Sequence, residues 1–320
     1  MIYQVGKTLS GRLYFIKSNL FCADMENNSK NHITEVWPGP MEGVMKNAFI
    51  QTVTKLDLVS RWMTPFYRVT THVPKAKQLD EFLKPFRDTN LPVSGQIMGT
   101  DARLLGETAQ LMLKAGCCEV NLNCGCPSQR VVSGNAGGGM LKNVPSLAYI
   151  LKYLRDTLPV GKFSVKSRIG YDSDKSAEII QTIIENGNPD RLTIHCRTVK
   201  EMYHPVQDMQ KRFDKTADLT SEARKKGMVL IFNGDINTVE DAERLTEKYP
   251  GSGIMCARSW MNDPGLLKRI EGKSVPDKQI LKKQFFETFC SINPAAGATL
   301  EIARMLWGGN SDEFRNLLKK

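Results

Sequence analysis

The strongest constraint on what this chain can fold into is a rhythm. Short β-rich runs recur, each followed by a polar or glycine-bearing loop and then by helical periodicity. The runs are ITEVW (33–37), LVSRWM (58–63), PVSGQIM (92–98), CEVNLN (118–123), FSVKSRI (163–169), RLTIHC (191–196), MVLIFN (228–233) and GIMCA (253–257). Helical spacing is clear at 102–116, 146–158, 176–187 and 239–249 and weaker at 42–56 and 76–88. Eight strands alternating with helices predict a parallel sheet closed into an α/β fold, a (β/α)8 TIM barrel, spanning 32–271. Residues 272–320 are then a small C-terminal helical domain, with KQILKKQFFETFCSI and GATLEIARMLW as its helices. Residues 1–31 form an N-terminal extension, expected to be poorly ordered.

In such a barrel the chemistry sits on the loops at the C-terminal ends of the strands. The polar residues at those ends are Glu42, Gln96, Asn121, Asn123, Cys126, Lys166, Arg168, His195, Arg197, Asn233, Asp235 and Arg258. Polar side chains inside a barrel strand are costly unless paired, so VKSR and TIHCR read as site residues. GPMEGV (39–44) either lets the backbone approach a flat ligand or is a plain strand-to-helix turn. NGDI (233–236) and ARS (257–259) follow the last two strands, where barrels often bind phosphate on backbone N–H groups. A short helix is expected there from Asn262 or Asp263, with Arg258 as an added fork of donors. GNAGGGMLKN (134–143) lacks the Gly-Lys-Ser/Thr ending of a P-loop and reads as a mobile lid beside Cys126.

Composition adds bounds. The 320 residues are 41% hydrophobic with a formal charge of +10, and no apolar run reaches the length of a membrane span. A basic excess favours RNA as a partner but is common among metabolic enzymes. The scattered cysteines suit a reducing cytosol. Lys7, Arg12 and Lys17 with no acid before Asp24 give a weak targeting signal, and Met25 is an alternative start.

NLNCGCPSQR (121–130) looks at first like a metal or redox cluster. Zinc would need paired C-x2–4-C spacing or nearby histidines; Cys124-Gly-Cys126 is C-x-C and Cys117–Cys118 are adjacent. No metal is expected, and a C-x-C disulfide would be strained. Cys117, Cys118 and Cys124 read as small packing residues. Cys126, with Pro127 just beyond the strand end, stands over the barrel mouth. Spacing leaves nucleophile and proton donor equally open for it.

Taken together, PMEGV, the Q-I-M-G around Gln96, NLNCGCPS, GGGMLKN, SVKSRIGYD, IHCRTVKEMY, FNGDI and MCARSWM resemble the FMN-dependent tRNA-dihydrouridine synthases in order and spacing. The wording is most similar to the bacterial C-type branch, which acts on uridine 16 of the D loop. The resemblance implies that Pro40, Met41 and Gln96 hold the isoalloxazine and that Lys166 and His195 contact the flavin and its tail. It places Asn233, Asp235, Ala257 and Arg258 around the FMN phosphate. Asn123, Arg168 and Tyr203 would meet the uracil, with Cys126 as the acid. Hydride would add at C6, so a proton donor is needed near C5, and a thiol with pKa about 8.5 can serve.

The implied enzyme is an oxidoreductase reducing a CH–CH bond in tRNA, re-reduced by NADPH, cytoplasmic and monomeric. Arg130, Lys211, Arg212, Lys215, Lys282 and Lys283 would meet tRNA phosphates. Three departures are small-for-small: Gly39 for the usual alanine, Cys196 within the usual HGRT, and Met255-Cys256-Ala257 near the phosphate; a larger one is that the helical tRNA-binding appendage, 272–320, is shortened relative to the family's. The alternatives are an FMN barrel acting on a free pyrimidine, like dihydroorotate dehydrogenase, and a tRNA-binding homologue without catalysis.

Overall fold

The structure, a computed structural model, describes residues 4–7, 13–16, 33, 35–292 and 294–317. Within Met1–Asn31, Gln4–Lys7 and Leu13–Ile16 pair antiparallel, Gln4 opposite Ile16 and Lys7 opposite Leu13. The expectations of poor order and of a targeting leader otherwise fall outside the described residues.

The second compact unit, His32–Lys320, carries the barrel. Its strands are β1 (Val36–Pro38), β2 (Trp62–Met63), β3 (Val93–Met98), β4 (Glu119–Cys124), β5 (Phe163–Arg168), β6 (Arg191–His195), β7 (Val229–Asn233) and β8 (Gly253–Cys256). All ladders are parallel, in the order β1-β8-β7-β6-β5-β4-β3-β2, and Tyr67–Arg68 adds a second pairing to β3. The β1–β2 seam, where the ring closes, has no ladder pairing among the described residues.

The register decides which side chains share a layer. Asn123 lies beside Lys166, Arg168 beside His195, and His195 beside Asn233. Side chains alternate along a strand, so Val120, Leu122 and Cys124 of β4 face the helices and are fully buried in the main apolar core. Glu119, Asn121 and Asn123 take the other face, the barrel interior. That interior is divided. Trp37, Met63, Ile231 and Met255 form a separate apolar cluster on the β1, β2, β7 and β8 side. The β3–β6 side is polar and internally hydrogen-bonded.

At the bottom, Arg191 Nε lies 2.9 Å from both Glu35 oxygens, and Arg61 joins Glu35 at 3.5 Å. Arg191 also reaches Glu119 Oε2 at 3.1 Å.

Around the ring run helices 47–55, 76–87, 102–114, 144–157, 176–182, 209–219 and 239–248. Capping marks several starts. Asp101 accepts from Leu104 N, Asn143 from Ser146 N, and Thr238 with Asp241 forms a capping box. The C-terminal helices 278–291, 296–307 and 312–317 belong to the same compact unit. Phe285 of the first lies 5.7 Å from Phe49, which itself meets Trp260 edge-on at 5.7 Å. Burying such rings stabilises by ~1.5–3 kcal/mol each, enough to hold the helices on the barrel.

Candidate active site

A cavity of about 930 Å3 opens at the C-terminal ends of the strands. Every site residue expected from the sequence lines it: Pro40, Met41, Gln96, Asn123, Cys126, Lys166, Arg168, His195, Tyr203, Asn233, Asp235, Ala257 and Arg258. They come from seven of the eight strands or the loops that follow them.

Lys166 is the most informative of them. Its ammonium has no hydrogen bond or ion pair among the described residues. Burial, and then the nearby Arg168 charge, depress its pKa from 10.5 to about 8. A cation held inward without a partner is unfavourable in the free protein and favourable once an acceptor arrives. Arg168 is also buried, with its pKa lowered to about 10, chiefly by burial. Of its five N–H groups, Nε donates to Gly125 O (2.9 Å) and Nη1 donates to Thr198 O (2.7 Å) and Met202 O (2.9 Å). The Nη2 pair remains for a ligand.

His195 is buried, and its pKa is held well below 6.5 by burial first and then by Arg168, Lys166, Arg197 and Arg258. It is neutral at physiological pH. Arg197 Nη1 lies 3.2 Å from His195 Nε2, and an arginine only donates, so Nε2 accepts and Nδ1 carries the proton.

Arg197 is one of the polar strand-end residues, and the sequence points to no role for it. It organises this corner, because Nη2 pairs with Asp235 at 2.5 Å and Nε donates to His204 O at 3.0 Å. The Asp235 carboxylate is thereby committed, and any contact with phosphate would come from the backbone. Gly234 (φ +113°) sits against His195; a Cβ there would stand 2.9 Å from His195 Cδ2. The backbone N–H groups of Gly234 and Ala257 have no partner among the described residues. The adjacent short helix runs Arg258–Asn262 rather than starting at Asn262 or Asp263. Asp263 instead closes it, its N–H bonding to Ser259 O, so Arg258 opens the first turn.

Cys126 is half-buried. Burial foremost, with the Glu42 carboxylate, raises its thiol pKa against the opposing pull of Ser128 N–H, Lys166 and Arg168. It is therefore a protonated thiol at neutral pH. Its backbone is clamped on both sides: N–H donates to Asn123 Oδ1 at 3.0 Å and O accepts from Gly138 N at 3.0 Å. The Asn123 amide is largely engaged, since Oδ1 also accepts from Gly125 N and Nδ2 donates to Gln96 Oε1 at 2.8 Å. One N–H of Asn123 is left for a bound base.

The glycine loop does not behave as a lid. Gly137–Lys142 forms a 3-10 turn whose residues 137–141 are buried. A Cβ at Gly138 would stand 2.6 Å from Val199 Cγ2 and 2.9 Å from Cys126 O. The glycines serve close packing beneath Cys126, which a composition-based reading mistakes for mobility. Cys117 and Cys124 are buried packing residues, and Cys118 is half-buried. No metal-holding group of His, Cys, Asp or Glu occurs among the described residues.

The expected basic patch is mostly spent internally. Lys211 pairs with Asp208, Lys215 with Asp174, and Arg212 with both oxygens of Glu201. Lys282 is buried and donates to Asn262 Oδ1. Lys142, Lys200 and Arg258, beyond the ends of β4, β6 and β8, have no acid partner among the described residues. Lys142 and Lys200 approach the Tyr171 ring at 4.4 and 5.9 Å, and Arg258 covers Tyr203 at 4.6 Å. Tyr203, 48% exposed, also stacks on His195 at 6.4 Å. Phe66 and Met305 line the cavity too. Met305 comes from helix 296–307, and nothing in the sequence signalled that a residue so distant would reach the site.

A sequence model of the family described as Dihydrouridine synthase (Dus) matches residues 38–300. The chain belongs to the dihydrouridine synthase family. The match passes the end of the barrel and takes in much of the C-terminal helical segment. A tRNA-dihydrouridine(16) synthase of Haemophilus ducreyi is 28% identical over 75% of this chain and 74% of its own length. The tRNA-dihydrouridine(16) synthase of Haemophilus influenzae is 30% identical over 71% and 73%. Among solved structures, a variant of NCR from Zymomonas mobilis aligns with TM-score 0.52 at 13% identity, over 78% of this chain and 90% of that one. That likeness shows the fold alone. As a dihydrouridine synthase family member the chain is an oxidoreductase of CH–CH bonds, within the bacterial C-type branch.

Proposed function

We propose that this dihydrouridine synthase binds FMN and reduces the C5=C6 bond of a D-loop uridine, position 16, in tRNA, with Cys126 as proton donor and NADPH as reductant. The observation that carries the reading is the meeting of a protonated thiol and an unpartnered ammonium in one cavity. Cys126 follows β4, and Lys166 lies on β5 beside Asn123.

The residues present fit FMN. The cavity lies in the upper part of the ~300–1,000 Å3 range of small-molecule sites, room for a flavin and a base together. Lys166 would hold the anionic pyrimidine edge of the ring system, and Pro40, Met41 and Gln96 would flank it. Arg258 and the free N–H groups of Gly234 and Ala257 would take the phosphate. FMN, when bound, supplies the hydride.

The protein's part is then positioning and proton transfer. The free Nη2 of Arg168 and the remaining N–H of Asn123 would hold the uracil carbonyls, where negative charge develops. Cys126 would give its proton to C5, and its raised pKa keeps that proton in place until charge builds there. His195, neutral and with Nδ1–H, adds a donor without adding charge. The base must leave its stack to enter, and Tyr203 offers an exposed aromatic surface at the rim. Lys142, Lys200, Arg130 and Arg258, on the loops after the strands, would meet RNA phosphates. Cysteine usage and the reaction fit a cytoplasmic enzyme. No described helix is long and apolar enough to cross a membrane.

The test is the purified protein's flavin absorbance together with NADPH-dependent dihydrouridine formation on unmodified tRNA and on free uridine. Product on tRNA alone supports the reading. Activity on the free pyrimidine, or a protein that cannot be reconstituted with FMN, would sink it. Cys126→Ala should keep its flavin and lose at least ~100-fold in turnover, the lower end for a lost general acid. Unchanged turnover would remove Cys126 from its role.

A further inference from the structure

The polar half of the barrel interior is one directed chain of hydrogen bonds. It begins at Glu119, buried at the bottom against Arg191, and Ser94 Oγ and Ser164 Oγ donate to Glu119 Oε1 at 2.8 and 2.9 Å. Asn121 Nδ2 donates to Ser164 Oγ at 2.9 Å, and Gln96 Nε2 donates to Asn121 Oδ1 at 2.8 Å. Asn123 Nδ2 donates to Gln96 Oε1 at 2.8 Å, and Cys126 N donates to Asn123 Oδ1 at 3.0 Å.

The chemistry of the groups fixes its direction. Burial raises the Glu119 pKa, but the Arg191 guanidinium at Oε2 opposes that shift, and the ionised carboxylate only accepts, so the Ser164 hydroxyl hydrogen points at Glu119. Its lone pairs are left to accept from Asn121 Nδ2. That turns Asn121 Oδ1 towards Gln96, which must present Nε2 and keep Oε1 for Asn123. Asn123 Oδ1 is then the atom that receives the N–H groups of Gly125 and Cys126. Reversing any one amide would set like against like at both of its neighbours. Each such mismatch in a buried site is costly, so the links stand or fall together.

Gln96, Asn123 and Cys126 line the cavity, whereas Glu119, Ser164 and Asn121 do not. Asn121 is fully buried, and its two amide bonds face opposite ways along the chain. Interiors of such barrels are ordinarily filled by branched apolar side chains, as the β7 and β8 side is here. A polar column in that place is better explained by what it orients than by packing.

We propose that Asn121 is a positioning residue, backed by Ser164 and Glu119, which orients Gln96 and Asn123 and so sets the backbone of Cys126 at the mouth of the cavity. Its effect on catalysis rests on the reading of Cys126 as the proton donor. Its effect on the loop does not.

The test uses iodoacetamide on the purified full-length protein, with mass spectrometry of the Cys126 and Cys290 peptides. Cys290 is exposed on helix 278–291, outside the column, and reports on the rest of the fold. Asn121→Leu keeps the volume but removes both bonds; Ser164→Ala removes one hydroxyl. In each variant the ratio of Cys126 to Cys290 alkylation should rise at least about fivefold, the equivalent of one lost buried hydrogen bond. An unchanged ratio in Ser164→Ala overturns the proposal, and this variant decides if Asn121→Leu fails to fold. Single-turnover dihydrouridine formation should fall in parallel. Alkylation that shifts while turnover stays constant would overturn Cys126 as donor and leave the column in place. Constant alkylation overturns the column whatever the turnover.

Discussion

Replacing Lys166 by methionine should make the flavin-free protein more stable while destroying its hold on flavin. The magnitude follows from the displacement of the lysine pKa from 10.5 to about 8. At about 1.36 kcal/mol per unit, the difference of 2.5 is a penalty of ~3 kcal/mol on the charged folded state. The sign is fixed by proton counting. Between pH 8 and 10.5 the unfolded chain holds the proton and the folded one releases it, so stability rises with pH there. The penalty is complete below pH 8 and absent above 10.5. Methionine is close in length and unbranched, so any packing difference enters as a constant offset that does not vary with pH.

Urea unfolding of parent and Lys166→Met, both stripped of flavin, at pH 7 and pH 10.5 isolates the charge term. The variant should be ahead by ~3 kcal/mol more at pH 7 than at pH 10.5. Titrating groups that do not feel the Lys166 charge cancel in this double difference; Cys126 and His195, which do, leave a smaller residue. With flavin added the order should reverse, because a ligand that binds only the folded state stabilises in proportion to its affinity. A stability gap independent of pH would refute the claim that Lys166 is an unpaired buried cation. Retained tight flavin binding would refute its assignment to the cofactor.

Other outcomes follow from the same geometry. Gly138→Ala drives a methyl group into Val199 and Cys126 O and should cost ~1–3 kcal/mol, read by thermal melting; a neutral result would return the glycine loop to the status of a mobile lid. Arg197→Met leaves Asp235 unpaired and should lower flavin affinity about tenfold or more, measured by fluorescence titration. Lys142→Ala and Lys200→Ala should each reduce the salt dependence of tRNA binding by about one unit of slope, while Lys211→Ala, already paired with Asp208, leaves it unchanged. Equal effects at all three positions would argue that proximity to an acid does not decide which lysines meet RNA.

The strands and most helices were legible because their signal is local. Short β-rich runs set β3 to β8 within about two residues, and helical spacing set helices 102–114 and 239–248. Helix 209–219 was not expected, since its run MQKRFDKTADL is mostly polar and its few buried residues are Phe213, Thr216 and Ala217. The glycine loop was misread because composition gives backbone freedom but not neighbours. The basic patch was misread for the same reason: Arg212 is cationic in the sequence, but Glu201, eleven positions away, neutralises it only after the loop folds back.

The sequence by itself determined the barrel, the cavity end and most of the polar residues lining it, because a parallel β/α alternation sends every strand end to one face. It also determined the family, through short motifs whose order no local physics explains. Only the tertiary structure decided how these residues divide the work. Whether Lys166 is paired, which nitrogen of His195 keeps its proton, and whether Asn123 is free or holding Cys126 all depend on atoms contributed by other strands. Register is what brings those atoms together. A cross-strand hydrogen bond has no trace in the spacing along one strand, so the column from Glu119 to Cys126 exists only once the sheet is closed.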